Sequence, residues 1–295
     1  YFVDCKDAKM SADAKDQELA KKLWDKCVQL VKLTPEEIKL DLKGANSARL
    51  EIIEGTENQR VEVMKLDLAS LQSVRDFVKE FNHSNDRLDV LINNAAAVGL
   101  ANQQTADGLQ QELQINHFGP FLLTILLLDV LKKSAPSRVV VVSSRWHRNG
   151  KIDLDNVNYE NNFPGFKRCY QDAKLANVLF SNELAKRLSG TGVTCNSLHP
   201  GVINTDIRKR LPKLINFFFC LLYRHLIKTL EEGADTSVYL ASSPQVQNVT
   251  GKFFFECKMM ETGKNAKDEN LAAKYFDECI HLVRLTPSEL TALSS

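Results

Sequence analysis

The stretch RVVVVSS, residues 138–144, decides the fold class of this chain. Its four consecutive valines form a short apolar run without polar interruption, which is typical of a strand that is buried on both faces. Such strands occur in parallel sheets that helices cover on both sides. The run therefore predicts a central strand of an α/β domain, with the hydroxyls of Ser143 and Ser144 at its carboxyl end.

Outward from this run, strand and helix patterns alternate along the chain. Further strands are predicted over residues 61–68, 88–95, 193–199 and 251–257. Helices are predicted over residues 41–54, 70–81, 108–133, 170–188 and 231–241. This alternation predicts a Rossmann-like, doubly wound parallel sheet. Ligands of such sheets bind at the carboxyl ends of strands, where residues 67–68, 93–96, 143–144 and 199–205 are expected to lie.

A tyrosine and a lysine stand four residues apart in YQDAK, residues 170–174. On a helix this spacing places Tyr170 and Lys174 on one face. A nearby cation favours phenolate, so we expect Lys174 to lower the pKa of Tyr170 from its ordinary value of about 10 and to make it a usable general acid or base. Taken alone, the pattern is equally typical of a solvated pair on a helix surface.

Other polar residues in the right order strengthen the catalytic interpretation. Ser144 could donate a hydrogen bond to a substrate oxygen as charge develops there, and Ser143 is its competitor for that role. Asn116 lies within a predicted helix, where asparagine is unfavourable. A cap, a packed hydrogen bond or a water relay to Lys174 would each explain it. Residues 199–205 (HPGVINT) follow a strand and could cradle an amide.

Six motifs together resemble a known family. They are LDL (66–68), LINNA (91–95), QINHFGPFLLT (114–124), VVSS (141–144), CYQDAKLANVLFSNELAKRL (169–188) and GVTCNSLHPGVINT (192–205). In combination they resemble the short-chain dehydrogenase/reductase family, and more narrowly its retinol-dehydrogenase-like branch. The resemblance extends from Asp41 to the C-terminus.

This resemblance implies reversible hydride transfer between NAD or NADP and a lipophilic alcohol, aldehyde or ketone. The implied catalytic residues are Asn116, Ser144, Tyr170 and Lys174. The implied cofactor-binding residues are Asp67, Leu68, Asn93, Ala95, Tyr170, Lys174, Pro200, Gly201, Val202 and Thr205. Tyr170 would exchange the proton of the substrate oxygen, and Lys174 would hold the nicotinamide ribose.

The first forty residues repeat the end of the chain. Residues 1–38 align without gaps on residues 253–290, with about 17 of 38 positions identical, which marks a duplication. We therefore expect residues 1–40 to be the copied tail, a strand plus an amphipathic helix, of a preceding domain. Residues 41–295 would then form the dehydrogenase-like domain. Because the chain begins at Tyr1, we also expect it to be part of a longer product.

The glycine-rich turn of the family is missing from the sequence. In the family, a Gly-x-x-x-Gly-x-Gly turn after the first strand holds the cofactor pyrophosphate. Gly44 begins a similar stretch, but Ala48, Arg49 and Leu50 follow where further glycines belong. The first βαβ unit is thus predicted to be absent. This absence would separate strand 61–68 from the sheet and expose the edge of strand 88–95, unless the tail strand at residues 2–5 fills the gap.

Two functions follow from these opposing signals. The first is an NAD(P)-dependent oxidoreductase, impaired in this chain by the missing turn. The second is a non-catalytic pseudoenzyme or binding relic from a mis-joined tandem duplication. The surviving Ser–Tyr–Lys set favours the first, and the missing turn favours the second.

Composition excludes several other classes of function. The net charge of +1, with 25% charged and 44% hydrophobic residues, gives no global attraction to nucleic acid, so no nucleic-acid partner is expected. The seven cysteines form no C-x-x-C pair, so we expect reduced thiols and no structural metal site. These features predict an intracellular protein, either cytoplasmic or on an endoplasmic reticulum or mitochondrial membrane surface.

The most apolar segment lies within residues 214–228. It is shorter than the roughly 20 apolar residues that a membrane-spanning helix needs. The segment is interpreted as a packed helix or, alternatively, as a lipophilic flap that contacts substrate or a membrane surface, because basic residues flank it.

Overall fold

The computed structural model describes residues 2–3, 42–203 and 227–294. The strands are β1 (Phe2–Val3), β2 (Val61–Glu62), β3 (Val90–Asn93), β4 (Ser137–Val142), β5 (Val193–His199), β6 (Val202–Ile203), β7 (Ile227–Lys228), β8 (Phe253–Phe255) and β9 (Lys258–Met259). The α-helices are α1 (Leu42–Thr56), α2 (Leu71–Ser84), α3 (Gln111–Leu113), α4 (Gly119–Leu126), α5 (Leu128–Lys133), α6 (Phe166–Arg187), α7 (Leu230–Ser242), α8 (Glu269–Leu282) and α9 (Pro287–Ser294).

A five-stranded sheet in the order β3-β4-β5-β8-β9 forms the centre of the fold. Its first four strands are parallel, and β9 adds an antiparallel edge through a tight hairpin. The predicted α/β class is confirmed, and the valine run is an internal strand with all six residues of β4 buried.

Alternate side chains of β4 enter two different apolar cores. Val139 and Val141 pack with α2, α4, α5, α6 and α8 on one face of the sheet. Val140 and Val142 pack with α7 and with the neighbouring strands on the other face. Because successive side chains of a strand point to opposite faces, an uninterrupted valine run fits a sheet that is covered on both sides.

The segment at residues 61–68 differs from its predicted strand. Only Val61 and Glu62 are in strand conformation, and they pair antiparallel with Phe2 and Val3 in a separate two-stranded sheet. The tail strand therefore does not fill the gap beside β3. Among the described residues, β3 has a strand neighbour on one side only, which agrees with the expected open edge.

The long helical stretch predicted over residues 108–133 is interrupted at the site. Residues Gln114–Phe118 form a π-turn between α3 and α4, with the Gly119 N–H bonded to the Gln114 carbonyl. Pro120 follows and has no N–H to donate to the Asn116 carbonyl four residues earlier. Single π-turns within helices often mark functional sites.

The C-terminal tail has the expected strand followed by an amphipathic helix, β8 and then α8. The tail copy at residues 1–40, apart from Phe2 and Val3, lies outside the described residues, as do Thr205 and residues 214–226. Cys169, Cys195, Cys257 and Cys279 are free thiols. A search of the described helices finds none with the length and apolar character that crossing a membrane requires.

Candidate active site at the carboxyl end of the sheet

Helix α6 brings Tyr170 and Lys174 to the carboxyl end of β4, as the four-residue spacing predicted. The Tyr170 hydroxyl forms a hydrogen bond with Ser144, which follows β4. The Lys174 ammonium lies 5.5 Å from the centroid of the Tyr170 ring and donates to the Val142 carbonyl over 3.1 Å. The structure thus unites Ser144, Tyr170 and Lys174 in one cluster.

The structure distinguishes the two neighbouring serines. Ser143 is buried, and its hydroxyl donates to the Lys174 carbonyl over 2.6 Å, so it ties β4 to α6. Ser144 is half-buried, accepts from the Trp146 N–H and faces Tyr170. Of the two hydroxyls, that of Ser144 is placed to meet a substrate oxygen.

The protonation of Tyr170 differs from the sequence-based expectation. Burial of the phenol raises the pKa of Tyr170 to about 12, the bond to Ser144 lowers it, and the Glu112 carboxylate raises it. The expected lowering by Lys174 was wrong for this structure, because burial of the phenol has the largest effect and Lys174 is not among the groups that shift this pKa. Tyr170 is therefore a protonated acid at neutral pH.

Lys174 has a shifted pKa as well. The side chain is 2% exposed, and burial lowers its pKa to about 8 while Glu112 acts to raise it. Most Lys174 side chains therefore still carry a charge at neutral pH. Glu112 itself is 0% exposed on α3 and accepts from the Leu100 N–H over 3.0 Å. The sequence interpretation missed Glu112, because no local pattern shows that α3 faces α6.

Asn116 makes a packed hydrogen-bond pair, one of the three explanations left open by the sequence. Its Oδ1 accepts from the Ala97 N–H and its Nδ2 donates to the Ala97 carbonyl, both over 2.7 Å. The pair fixes the π-turn against the loop after β3. The side-chain amide is thus committed to a structural contact near the site.

The residues assigned to the cofactor lie along the same edge of the sheet. Asn93 ends β3 and Ala95 follows it, and the Asn93 amide donates to the Thr124 hydroxyl over 2.8 Å. Pro200, Gly201 and Val202 follow β5, with Gly201 at a φ of 98°.

Asp67 and Leu68 do not end a strand, contrary to expectation. The Asp67 carboxylate accepts from the Ala69 N–H over 2.9 Å, which turns the chain toward α2. The Leu68 carbonyl lies so close to Gly119 that a Cβ there would approach it to 2.6 Å. Leu68 therefore packs on the start of α4, whereas the contacts of Asp67 lie toward α2.

Two exposed aromatic side chains border Tyr170 and were missed in the sequence. Trp146 is 44% exposed and meets the Tyr170 ring edge-on with centroids 5.9 Å apart. Phe166 is 60% exposed and stands four residues before Tyr170, on the same face of α6. A Trp two residues after the strand-end serine was the available signal.

A buried histidine behind the site predicts acid sensitivity. Burial lowers the pKa of His117 to about 4, against about 6.5 in an unfolded chain. Above pH 6.5 both states are neutral. As the pH falls from 6.5 to 4 the unfolded chain takes up a proton that the folded chain does not, so we expect the free energy of unfolding to fall by about 3 kcal/mol. Because burial also lowers the pKa of His199 to about 4, urea unfolding at stepped pH is compared between the unsubstituted chain and His117→Asn, and an equal fall in both would contradict the contribution of His117.

Comparisons with known proteins agree with the motif resemblance. The family model for short chain dehydrogenases matches residues 27–214. The chain is 48% identical to retinol dehydrogenase 14 of Homo sapiens over 217 residues, which are 73% of this chain and 64% of that protein. It is 42% identical to retinol dehydrogenase 12 of Homo sapiens over 246 residues, or 82% of this chain and 75% of that protein. The chain thus spans slightly less than two thirds of the length of the former relative.

Solved structures share the fold. A crystal structure of an uncharacterised protein from Mycobacterium paratuberculosis matches with a TM-score of 0.65 at 29% identity, covering 83% of this chain and 81% of that one. A short chain dehydrogenase from the same organism, bound to NAD, matches with a TM-score of 0.56 at 17% identity, covering 81% and 91%.

Proposed function

Because the chain belongs to the short chain dehydrogenase family, we propose that it exchanges a hydride and a proton between a nicotinamide cofactor and a lipophilic alcohol or carbonyl compound. The observation that carries this proposal is the cluster of Ser144, Tyr170 and Lys174. A hydroxyl, a protonated phenol and a buried ammonium converge at the carboxyl end of β4. Ligands of doubly wound sheets bind at this edge.

Each member of the cluster has a chemical task in this proposal. Ser144 donates to the substrate oxygen, and Tyr170 gives that oxygen its proton as the neighbouring carbon gains a hydride. The product is an alcohol, and the resulting phenolate recovers a proton from solvent. In the reverse direction Tyr170 would accept the proton of the alcohol as its carbon loses a hydride.

The described residues fit the nicotinamide end of a cofactor, which would supply the hydride when bound. Lys174 and Tyr170 offer donors to a ribose. Gly201 has a positive φ, and a Cβ at this position would approach the Lys228 side chain to 2.8 Å. Glycine therefore leaves this space open. The remaining cofactor contacts that we propose are Asp67, Leu68, Asn93, Ala95, Pro200 and Val202, together with Thr205, which lies outside the described residues. No glycine turn in the sequence is available for the pyrophosphate.

Exposed aromatic surface beside Tyr170 supports a lipophilic substrate. Trp146 contacts the Tyr170 ring, Phe166 stands one helical turn before Tyr170, and both present apolar area to solvent. Covering about 100 Å² of such area contributes roughly 2.5 kcal/mol to binding. A long apolar chain attached to a carbonyl at Tyr170 could gain this contribution, whereas a two-carbon aldehyde could not.

Substituting Trp146→Ala is expected to lower kcat/KM for a ten-carbon aldehyde by at least about tenfold and to change the value for acetaldehyde little. The assay follows loss of reduced-nicotinamide absorbance at high cofactor concentration. Met259→Ala is the matched control: it also removes an exposed apolar side chain, on β9, three strands or about 14 Å from β4. An equal loss of kcat/KM for both aldehydes in Trp146→Ala would contradict the proposed contact between Trp146 and the apolar part of the substrate.

The alternative function, a non-catalytic binding relic, is favoured by one observation. The sequence lacks the glycine turn, and β3 has no strand neighbour on its outer side among the described residues. Cofactor titration distinguishes the two functions, because only the oxidoreductase requires a bound nicotinamide.

A further inference from the structure

A buried series of hydrogen bonds runs from Cys279 on α8 to Lys174. The His117 Nδ1 lies 2.9 Å from the Asn177 Oδ1, and its Nε2 lies 3.4 Å from the Cys279 Sγ on α8. The Asn177 Nδ2 donates to the Val142 carbonyl over 3.3 Å. The Lys174 ammonium donates to the same carbonyl over 3.1 Å.

The donor and the acceptor of each hydrogen bond in this series follow from the groups available to Asn177. Asn177 uses its NH₂ group on the Val142 carbonyl, so its oxygen faces His117 and requires a donor there. The Nδ1 of His117 therefore carries the proton. The Nε2 of the neutral ring is then an acceptor, and the Cys279 thiol must donate to it.

All the side chains that take part in this series of hydrogen bonds are buried. His117 is 1% exposed and lies among the rings of Phe118, Phe121, Phe180 and Tyr275. Cys279 is fully buried and also bonds to the Tyr275 hydroxyl. Buried amide and imidazole groups are costly to leave unpaired, so each bond restrains the next one.

We propose that His117 is a positioning residue for Lys174, acting through Asn177 and the Val142 carbonyl, and that Cys279 makes α8 a part of the same relay. The relay keeps the NH₂ group of Asn177 directed at the Val142 carbonyl, which also accepts a hydrogen bond from Lys174. An amide released from His117 could turn its oxygen toward the Lys174 ammonium and compete with ligands for it. The catalytic meaning of this inference rests on the proposed function, whereas the hydrogen-bond relay does not.

Nuclear magnetic resonance of the chain as it stands tests the relay without turnover. Imidazole ¹⁵N spectra report the tautomer of His117, and ε-¹³C-lysine spectra report the titration of Lys174, which is assigned by its loss in Lys174→Arg. The charged or titratable groups that face Lys174 are the Glu112 carboxylate, the Tyr170 phenol and the His117 ring, so each spectrum is recorded across the same pH series.

The expected results form matched pairs. His117→Phe keeps the ring and removes the donor, so it should raise the pKa of Lys174 by at least about half a unit, a threefold change in acid dissociation. His117→Asn, which can still donate to Asn177, should leave it unchanged. Cys279→Val removes the donor to Nε2, so it should shift the Nε2 resonance of His117 while Asn177 keeps the ring in the Nδ1–H tautomer, whereas Cys279→Ser should leave that resonance in place.

A buried cysteine outside the relay is the control. Cys195 bonds to the Ser181 hydroxyl over 3.5 Å, so Cys195→Val removes a similar thiol contact. The proposal fails if His117 in the unsubstituted chain is the Nε2–H tautomer, if His117→Phe leaves Lys174 unchanged, or if Cys195→Val shifts Lys174 as far. The tautomer of the unsubstituted chain and the Cys279 pair still decide the question if His117→Phe does not fold.

Discussion

Replacing Tyr170 by phenylalanine is expected to reduce turnover of a lipophilic aldehyde by about 100- to 10,000-fold, the usual contribution of a positioned general acid. The phenol supplies the proton that the substrate oxygen needs, and phenylalanine keeps the ring contact with Trp146 without the hydroxyl. Cofactor affinity should change little, because Lys174 and the strand ends remain. The experiment uses a chain in which a strand–glycine turn–helix–strand unit is inserted before Asp41, so that cofactor binding does not limit the rate.

The control for this substitution is another tyrosine hydroxyl. Tyr239 lies on α7, and its hydroxyl donates to Gln245 over 3.1 Å at the surface. Tyr239→Phe should leave turnover unchanged. Retained turnover in Tyr170→Phe would remove the phenol from the proposed role, and a similar loss in both variants would indicate a general effect of phenol removal.

The second large effect concerns the chain without any insertion, which is expected to bind NADH and NADPH at least about 100-fold more weakly than the chain with the inserted unit. Hydrogen bonds to charged groups contribute about 1.5–3 kcal/mol each, and losing two of them accounts for that factor at about 1.4 kcal/mol per decade. The pyrophosphate is the charged centre of the cofactor, and its usual site combines backbone N–H groups with a helix N-terminus.

Titration with each nicotinamide, followed by cofactor fluorescence, measures this difference. The inserted form is the control, since it shares every residue from Asp41 onward. Saturable binding at low micromolar cofactor by the chain without the insertion would contradict the prediction. It would also favour the oxidoreductase over the binding relic, because the pyrophosphate would then have a substitute site in this chain.

Much of the fold could be predicted because its signals are local. The valine run at 139–142, the strand that ends at His199 and the amphipathic helix carrying Tyr170 each follow from patterns within about ten residues. The strand predicted at 61–68 failed for the opposite reason. A parallel strand extends only where a neighbour receives its hydrogen bonds, and the strand pattern of residues 61–68 does not depend on whether that neighbour is present.

In the candidate site, too, the features set by local sequence patterns could be predicted and those set by distant contacts could not. The four-residue spacing of Tyr170 and Lys174 was enough to place them together, and strand-end position identified Ser144. Neither the raised pKa of Tyr170 nor the contact between His117 and Cys279 could be read in this way. Burial depends on the whole packed interior, and those two residues are 162 positions apart in the chain.

The open side of β3 has a consequence for how this protein would behave at high concentration. Among the described residues, Val90–Asn93 directs one row of backbone groups toward no other strand. A parallel neighbour cannot be supplied by a hairpin, since it needs a crossover of a dozen or more residues. An extended segment from another molecule could supply it, and unpaired strand edges of this kind are templates for such pairing. Self-association at this edge would then compete with correct folding, and dilution during refolding would favour the monomer.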